Sequence, residues 1–327
     1  MKRGFLLGKF LPPHAGHVFM CRVAAALCDE LTILVCSLPD DPIPGAKRHA
    51  WMTALFPQAR VLHHGVPVPQ EPAEHPEFWP IWRGICKSAH PEPIDRVFGS
   101  ETYVLRLAAE LGAEPVIVDR ERIGFPVSAT TVRNDPYRHW SMVPGPVRPW
   151  YQKRVVLFGG ESTGKSSIAT VLAQQFSTLA VPEYGRTHDA ARQGRAWAAR
   201  DFDLIRERQT AMRIAASWNA GPLIIEDTDP CLTDVWQAML MDTPLAVTTG
   251  TEPADLYLFL APDLAWDDDG TRYWNTAESR RRFDRLCGEV LAATGANHAR
   301  ISGGWEERLA QCRAAILGHF PEAASRY

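Results

Sequence analysis

"GGESTGKSS", residues 159–167, follows the apolar run "RVVLF" and leads into "IATVLAQQF". A β-rich apolar run, a glycine turn and a helix-forming run, in that order, make a strand–loop–helix unit of an α/β protein. The spacing Gly159-x-x-x-x-Gly164-Lys165-Ser166 adds a chemical reading. Such a loop turns successive backbone N–H groups onto phosphate oxygens, and the helix that follows adds positive potential. Lys165 can neutralise terminal phosphates and the Ser166 hydroxyl can ligate Mg²⁺. Gly159, Gly160, Glu161, Ser162, Thr163, Gly164, Lys165, Ser166 and Ser167 therefore form a candidate ATP-binding loop. A glycine turn without a ligand is the bland alternative, and motif and flanks together weigh against it.

Outward from this loop the strand–helix rhythm continues. "TLAVPE", "PLIIED", "DLYLFLAP" and "HARISGG" are further strand candidates. "WEERLAQCRAAILGHF" is a closing amphipathic helix with Leu309, Cys312, Ile316 and Phe320 on one side. Strands separated by helices imply a parallel sheet. "PLIIEDTDP" ends in Glu226, Asp227 and Asp229, where a carboxylate can hold a metal or its water; Asp227 stands nearest the strand end. An Asp there can equally cap a helix. "VPEYGR" places Glu183, Tyr184 and Arg186 at another strand end. Glu183 either takes a sugar hydroxyl or pairs with Arg186. "APDLAWDDDGTRYWNTAESRRRF" combines acids at 267–269 with Arg272 and 280–282, and reads as a mobile lid or as a solvated charged helix. Trp266 and Trp274 either stack on a ring or anchor the core. No guanine-reading N-K-x-D is present, and a helicase-type ATPase should be longer and more basic, so a small-molecule kinase is expected.

The first half has its own version of the pattern. "GFLLGKF", "LTILVCS", "ARVLHHG", "DRVFGSE" and "EPVIVDRE" are strand candidates, with helices at 16–30 and 101–111. Where the first strand hands over to the first helix stands "GKFLPPHAGH", residues 8–17. His14 and His17 at a helix head can donate hydrogen bonds to phosphate oxygens, and Gly16 lets them approach the backbone. A metal bound through H-x-x-H lacks a third ligand at obvious spacing. "VSATTVRNDP", 127–136, sets Ser128, Thr130 and Arg133 near one another at another helix start, either as a second phosphate clamp or as an N-cap. The segment 65–96 breaks the rhythm with seven prolines and the pair Trp79 and Trp82. It is expected to be a long loop, either a packed excursion or a lid.

The chain has 327 residues, a length for about two domains. "VPGPVRPW", 143–150, reads as the connection, giving domains 1–146 and 147–327. A net charge of -3 argues against a dominant nucleic-acid footprint and leaves room for local basic pockets. Seven cysteines without a C-x-x-C pair or a secretory signal suggest reduced thiols and a cytoplasmic protein. No apolar stretch reaches membrane-spanning length.

G-x-F-x-P-x-H-x-G-H at 8–17, followed by S-x-T-x-x-R at 128–133, resembles the nucleotidyltransferase superfamily with a HIGH-type signature. Joined to the downstream loop, nearly the whole chain resembles the bifunctional nicotinamide-nucleotide adenylyltransferase/ribosylnicotinamide kinase family of NadR type. "KRHAWM", "VFGSETY", "VDRERIGFPVSATTVR", "VPEYGR", "EDTD" and "WDDDGTR" carry the resemblance further. It implies a Rossmann-like nucleotidyltransferase domain and a phosphate-loop kinase domain, both acting in NAD salvage with ATP and Mg²⁺. The kinase would make nicotinamide mononucleotide from nicotinamide riboside, and the N-terminal domain would join that mononucleotide to ATP, giving NAD and pyrophosphate. By resemblance His14, His17 and Arg133 serve adenylyl transfer. Gly8, Lys9, Phe10, Gly16, Arg48, Gly99, Ser100, Ser128 and Thr130 bind nucleotide, Asp119, Arg120 and Arg122 lie near the dinucleotide, and Trp79 or Trp82 covers the nicotinamide. In the kinase, Lys165, Glu183 and Asp227 are catalytic, Ser166 and Asp227 hold metal, and Arg272 serves ATP. Glu183, Tyr184, Arg186, Asp229 and Trp266 take the riboside. Some members carry a helix-turn-helix domain; here the first motif starts at residue 8, so no DNA binding is expected. A homo-oligomer is left open. The alternatives are the same architecture on another pyridine nucleotide or nucleoside, or a nucleotide sensor with one inactive site.

Overall fold

The computed structural model describes residues 1–248, 252–265, 273–274 and 276–324. They form two compact units that meet in sequence between Val147 and Arg148.

The first unit runs β1 (Arg3–Gly8), α1 (Ala15–Leu27), β2 (Glu30–Cys36), α2 (Gly45–Leu55), β3 (Arg60–His64), α3 (Phe78–Ala89), β4 (Arg96–Gly99), α4 (Tyr103–Leu111), β5 (Glu114–Ile117) and α5 (Ala129–Asn134). Its five strands are parallel in the order β3-β2-β1-β4-β5. Because helices cover both faces, β1 and β2 are apolar almost throughout. Leu6, Ile33 and Phe98 pack toward Met20, Cys21 and Met52 of α1 and α2. Their neighbours Phe5, Leu34 and Val97 pack toward Phe78, Trp82, Val104 and Leu107 of α3 and α4. The chain leaves β1 toward β3 and returns on the other side through β4. The crevice beyond the C-terminal ends of β1 and β4 is thus a topological switch point, where open parallel sheets bind ligands.

The proline-rich segment 65–96 is not one long loop. It contains α3, 12 residues long, with Phe78, Trp82 and Cys86 buried at successive turns. Pro80 sits in the first turn, where its missing N–H breaks no helical bond. Trp82 is a core residue whose Nε1 donates to the Pro69 carbonyl at 3.0 Å.

The second unit runs β6 (Lys153–Phe158), α6 (Lys165–Gln175), β7 (Ala180–Val181), α7 (Tyr184–Arg192), α8 (Ala199–Ser217), β8 (Leu223–Glu226), α9 (Pro230–Leu240), β9 (Leu256–Leu260), α10 (Ala277–Thr294), β10 (His298–Ile301), α11 (Trp305–His319) and α12 (Pro321–Ala324). The sheet is parallel in the order β10-β9-β6-β8-β7, with β6 at its centre. Val156, Tyr257 and Phe259 pack against Leu232 and Val235 of α9 and Phe283 and Leu286 of α10. The expected strand at 178–183 shrinks to two residues pairing with the end of β8. The connection 143–150 coils into a short 3-10 turn, Gly145–Trp150. No described helix is long and apolar enough to cross a membrane.

Candidate functional sites

In the first unit the turn after β1 carries the histidines. His14 is the N-cap of α1, and its Nδ1 accepts the Gly16 N–H at 3.2 Å. A Cβ on Gly16 would stand 3.1 Å from the His14 ring, so the glycine is what lets that ring fold back. The His14 and His17 rings lie 3.8 Å apart, and Phe10 meets His17 edge-on at 5.0 Å. Burial, with the Arg122 guanidinium adding, lowers the His14 pKa to about 4. Burial, with His14 and Arg122 adding, holds His17 well below the usual imidazole value. Arg133 of α5 reaches back across the unit: Nη1 donates to the Leu11 carbonyl at 2.5 Å and Nη2 to Thr130 Oγ1 at 3.3 Å. The two motifs, 122 residues apart, therefore share one turn. Beside it opens a cavity of about 610 Å³, lined by Gly8, Lys9, Phe10, His17, Trp79, Trp82 and Ser100 among others.

In the second unit the glycine loop leaves the C-terminal end of β6 and enters α6. Gly159 has φ +137° and a Cβ there would stand 2.7 Å from the Leu260 carbonyl, so only glycine fits. Lys165 folds back over the loop, its Nζ donating to the carbonyls of Gly159 at 2.9 Å and Gly160 at 2.7 Å. Asp227, one residue past β8, is buried and accepts from Ser166. Its Oδ1 has no partner among the described groups. Burial raises its pKa, with Lys165 beside it pulling the other way and Glu183 adding to the rise. Next to Lys165 opens a cavity of about 480 Å³ whose walls include Glu183, Arg186, Asp189, Trp197, Trp236 and Tyr273. The Tyr273 hydroxyl donates to Asp189 at 2.8 Å and accepts from Arg192 at 3.0 Å and Trp197 Nε1 at 3.2 Å. Arg192 lies 4.2 Å over the Trp197 ring.

Comparison with known proteins fits this arrangement. The trifunctional NAD biosynthesis/regulator protein NadR of Escherichia coli K12 is 27% identical over 334 residues, covering 94% of this chain and 81% of NadR. The chain is homologous to NadR. An AAA domain family model matches residues 154–308, which span the glycine loop. Two crystal structures of a NadR protein share the fold at 22% identity. One, in complex with NAD and AMP-PNP, gives a TM-score of 0.71 and covers 98% of this chain and 96% of that one. The other, in complex with NR, gives 0.72 and covers 99% and 96%.

Several residues expected at ligands are placed elsewhere. Arg48 is fully buried, and its guanidinium donates to the carbonyls of Lys9 at 2.6 Å and Cys36 at 3.2 Å and to Asp41 at 2.6 Å. It ties down the turn after β1, and its Nε has no partner among the described groups. Asp229 is fully buried as the N-cap of α9, accepting from Leu232 N–H at 3.1 Å and from the Tyr257 hydroxyl at 2.6 Å, and it is not among the residues lining the cavity beside Lys165. Glu161 accepts the backbone N–H groups of Tyr273 and Trp274 at 3.1 Å, tying a cavity wall to the glycine loop. Ser128 caps α5 through the Thr131 N–H at 3.0 Å. Asp119 accepts from Ile123 and Gly124 within its own loop, and Arg120 lies beside Glu121 at the surface. Arg122 stands 3.7 Å from Glu101, a cavity residue. Gly99 lies where a Cβ would meet Val104 at 2.4 Å. Tyr184 turns its hydroxyl to Arg208 at 2.6 Å, and Arg186 pairs with Glu183 at 3.1 Å. Arg280 and Arg282, expected in a lid, belong to α10 and bind the Leu264 carbonyl and Asp242. Trp266, Arg272 and the acids at 267–269 lie outside the described residues. Asp189, Arg192, Trp197, Trp236 and Tyr273 were not foreseen. Asp189 and Arg192 pair three residues apart on α7, but Trp197, Trp236 and Tyr273 come from three further stretches, so no one spacing ties the set together.

Proposed function

We propose that this chain is a two-site enzyme of NAD salvage. The second unit, a phosphate-loop kinase, phosphorylates nicotinamide riboside with ATP; the first, a HIGH-type nucleotidyltransferase, joins nicotinamide mononucleotide to ATP, giving NAD and pyrophosphate. The observation that carries this is the pair of strand–turn–helix sites, each at the C-terminal end of the central strand of its own parallel sheet. NadR, with NAD biosynthesis in its name, aligns across both.

In the first site a mononucleotide phosphate oxygen attacks the α-phosphorus of ATP, and the α–β bridging bond breaks. His14, His17 and Arg133 surround the turn where charge develops on the phosphate oxygens, and Gly16 lets them close on α1. Neutral imidazoles donate without adding a fixed charge, and Arg133 supplies the positive one. Trp79, at the cavity wall, would cover the pyridine ring. In the second site the riboside hydroxyl attacks the γ-phosphorus of ATP, the β–γ bridging bond breaks to release ADP, and the hydroxyl proton passes to Glu183 on the cavity wall. Lys165 moves from the loop carbonyls to the phosphates. The unpartnered, buried Oδ1 of Asp227 beside Ser166 fits a divalent cation. Mg²⁺ held there by Ser166 and Asp227 would neutralise charge on the β- and γ-phosphates. Trp236 and Tyr273 offer aromatic walls to the pyridine ring.

The test is a mass-resolved assay of the purified chain with Mg-ATP and nicotinamide riboside. The mononucleotide should appear first and NAD after it. Bound riboside with neither product formed would overturn the reading.

A further inference from the structure

At the end of the first turn of α11 stands Arg308, with no exposed surface. Its Nε donates to the Gly303 carbonyl at 2.8 Å, Nη1 to the Thr163 carbonyl at 3.3 Å, and Nη2 to the Ala261 carbonyl at 3.0 Å and to Asp263. Asp263 in turn accepts the Gly303 N–H at 2.8 Å. One guanidinium thus joins the ends of three neighbouring strands, β6 through its loop, β9 and β10. A buried charge of this kind is costly unless each donor is used, and the fork geometry of arginine allows several to be used at once.

Thr163 belongs to the glycine loop. The peptide between Thr163 and Gly164 is planar and trans, so its carbonyl and its N–H point in opposite directions. A carbonyl held by Arg308 turns the Gly164 N–H away from α11, toward the loop's own side. Gly164 is the N-cap of α6, with φ +89°, and having no Cβ it puts no side-chain restraint of its own on the orientation of that peptide. Lys165 holds the carbonyls at the opposite end of the loop, but it must leave them to reach phosphate. Arg308 has no such second task.

We propose that Arg308 is a positioning residue for nucleotide binding: by holding the Thr163 carbonyl it keeps the Gly164 amide aimed at the phosphates. This rests on reading the second unit as an ATP-using kinase. It separates Arg308 from a general packing role, because the effect should fall on ATP and spare the acceptor.

The test uses the full chain and two variants, with MgAMP-PNP as the binding probe. Arg308→Lys keeps the charge but cannot span three carbonyls. Its Kd for MgAMP-PNP by calorimetry and its KM for ATP should rise about ten-fold or more, with the KM for riboside and adenylyl transfer from added mononucleotide within about two-fold. Asp263→Asn, at a half-exposed side chain, should move the same two constants in the same direction by about three-fold. A folded Arg308→Lys with unchanged nucleotide constants, or with equal losses toward ATP and riboside, overturns the proposal. If Arg308→Lys does not fold, Asp263→Asn decides by the same criterion. A parent protein that binds MgAMP-PNP but phosphorylates no riboside defeats the substrate reading, while the binding comparison still decides the part of Arg308.

Discussion

At the head of α1, two imidazoles 3.8 Å apart are neutral near pH 7, because burial and the nearby Arg122 guanidinium disfavour their charged forms. His14 accepts the Gly16 N–H at Nδ1, so its proton resides on Nε2, the nitrogen left to donate to a phosphate oxygen. The same arrangement makes the first unit sensitive to acid. In the unfolded chain His14 takes up a proton near its ordinary value of 6.5; in the folded chain it waits until about 4. Between those values the unfolded state binds more protons, so stability falls as the pH falls. From about pH 7.5 to about pH 5 the loss from His14 alone is about 2 kcal/mol. Urea unfolding of the parent and of His14→Gln at both pH values measures it. The variant should show the flatter profile; equal acid slopes would remove His14 as the cause.

Among the elements, the turn from β6 to α6 is the most tightly determined. Gly159→Ala puts a methyl group 2.7 Å from the Leu260 carbonyl at a positive φ, so the loop or β9 must shift. A cost of about 1–3 kcal/mol is expected, with loss of riboside phosphorylation and adenylyl transfer kept. A thermal melt and the two product assays check it, and a Gly159→Ala protein with full kinase activity would contradict this account of the loop. The same tightness explains what could be read in advance. A loop with one workable sequence announces itself in that sequence, as does a strand buried on both faces, such as β2. The helix α3 was missed because prolines mark breaks, while the Phe78, Trp82 and Cys86 stripe that stabilises it depends on a core formed elsewhere. The helix α8 escaped notice because its described stripe is thin, with Phe202 and Ile205 the only large apolar side chains buried along 19 residues. The acceptor cavity was invisible for a further reason. Tyr273 and Asp189 meet across 84 residues, and only the fold supplies that proximity. Burial reverses assignments too: Asp229 sits at a strand end like a ligand, yet its partners are a helix N-terminus and Tyr257.

At the scale of the molecule, the chain solves the same problem twice, once in each unit with its own sheet. The central strand ends in a turn, and a fully buried arginine takes up carbonyls of that turn. Arg48 holds Lys9 in the first unit and Arg308 holds Thr163 in the second. Because the residues that line each cavity come from a single unit, the two proposed activities should separate by mutation. Lys165→Ala removes the phosphate-neutralising charge and should lower riboside phosphorylation by about 10³-fold or more, with adenylyl transfer kept. His17→Ala should let mononucleotide accumulate and stop NAD formation. Neither variant alone then makes NAD from riboside. Mixed in one tube they should make it, after a lag that shortens as the protein concentration rises, because the mononucleotide must diffuse from one molecule to another. Following NAD by mass against time measures this. Mononucleotide that accumulates in the mixture without conversion would mean that adenylyl transfer in the Lys165→Ala chain depends on an intact kinase site in the same molecule, and the independence of the two units would fall.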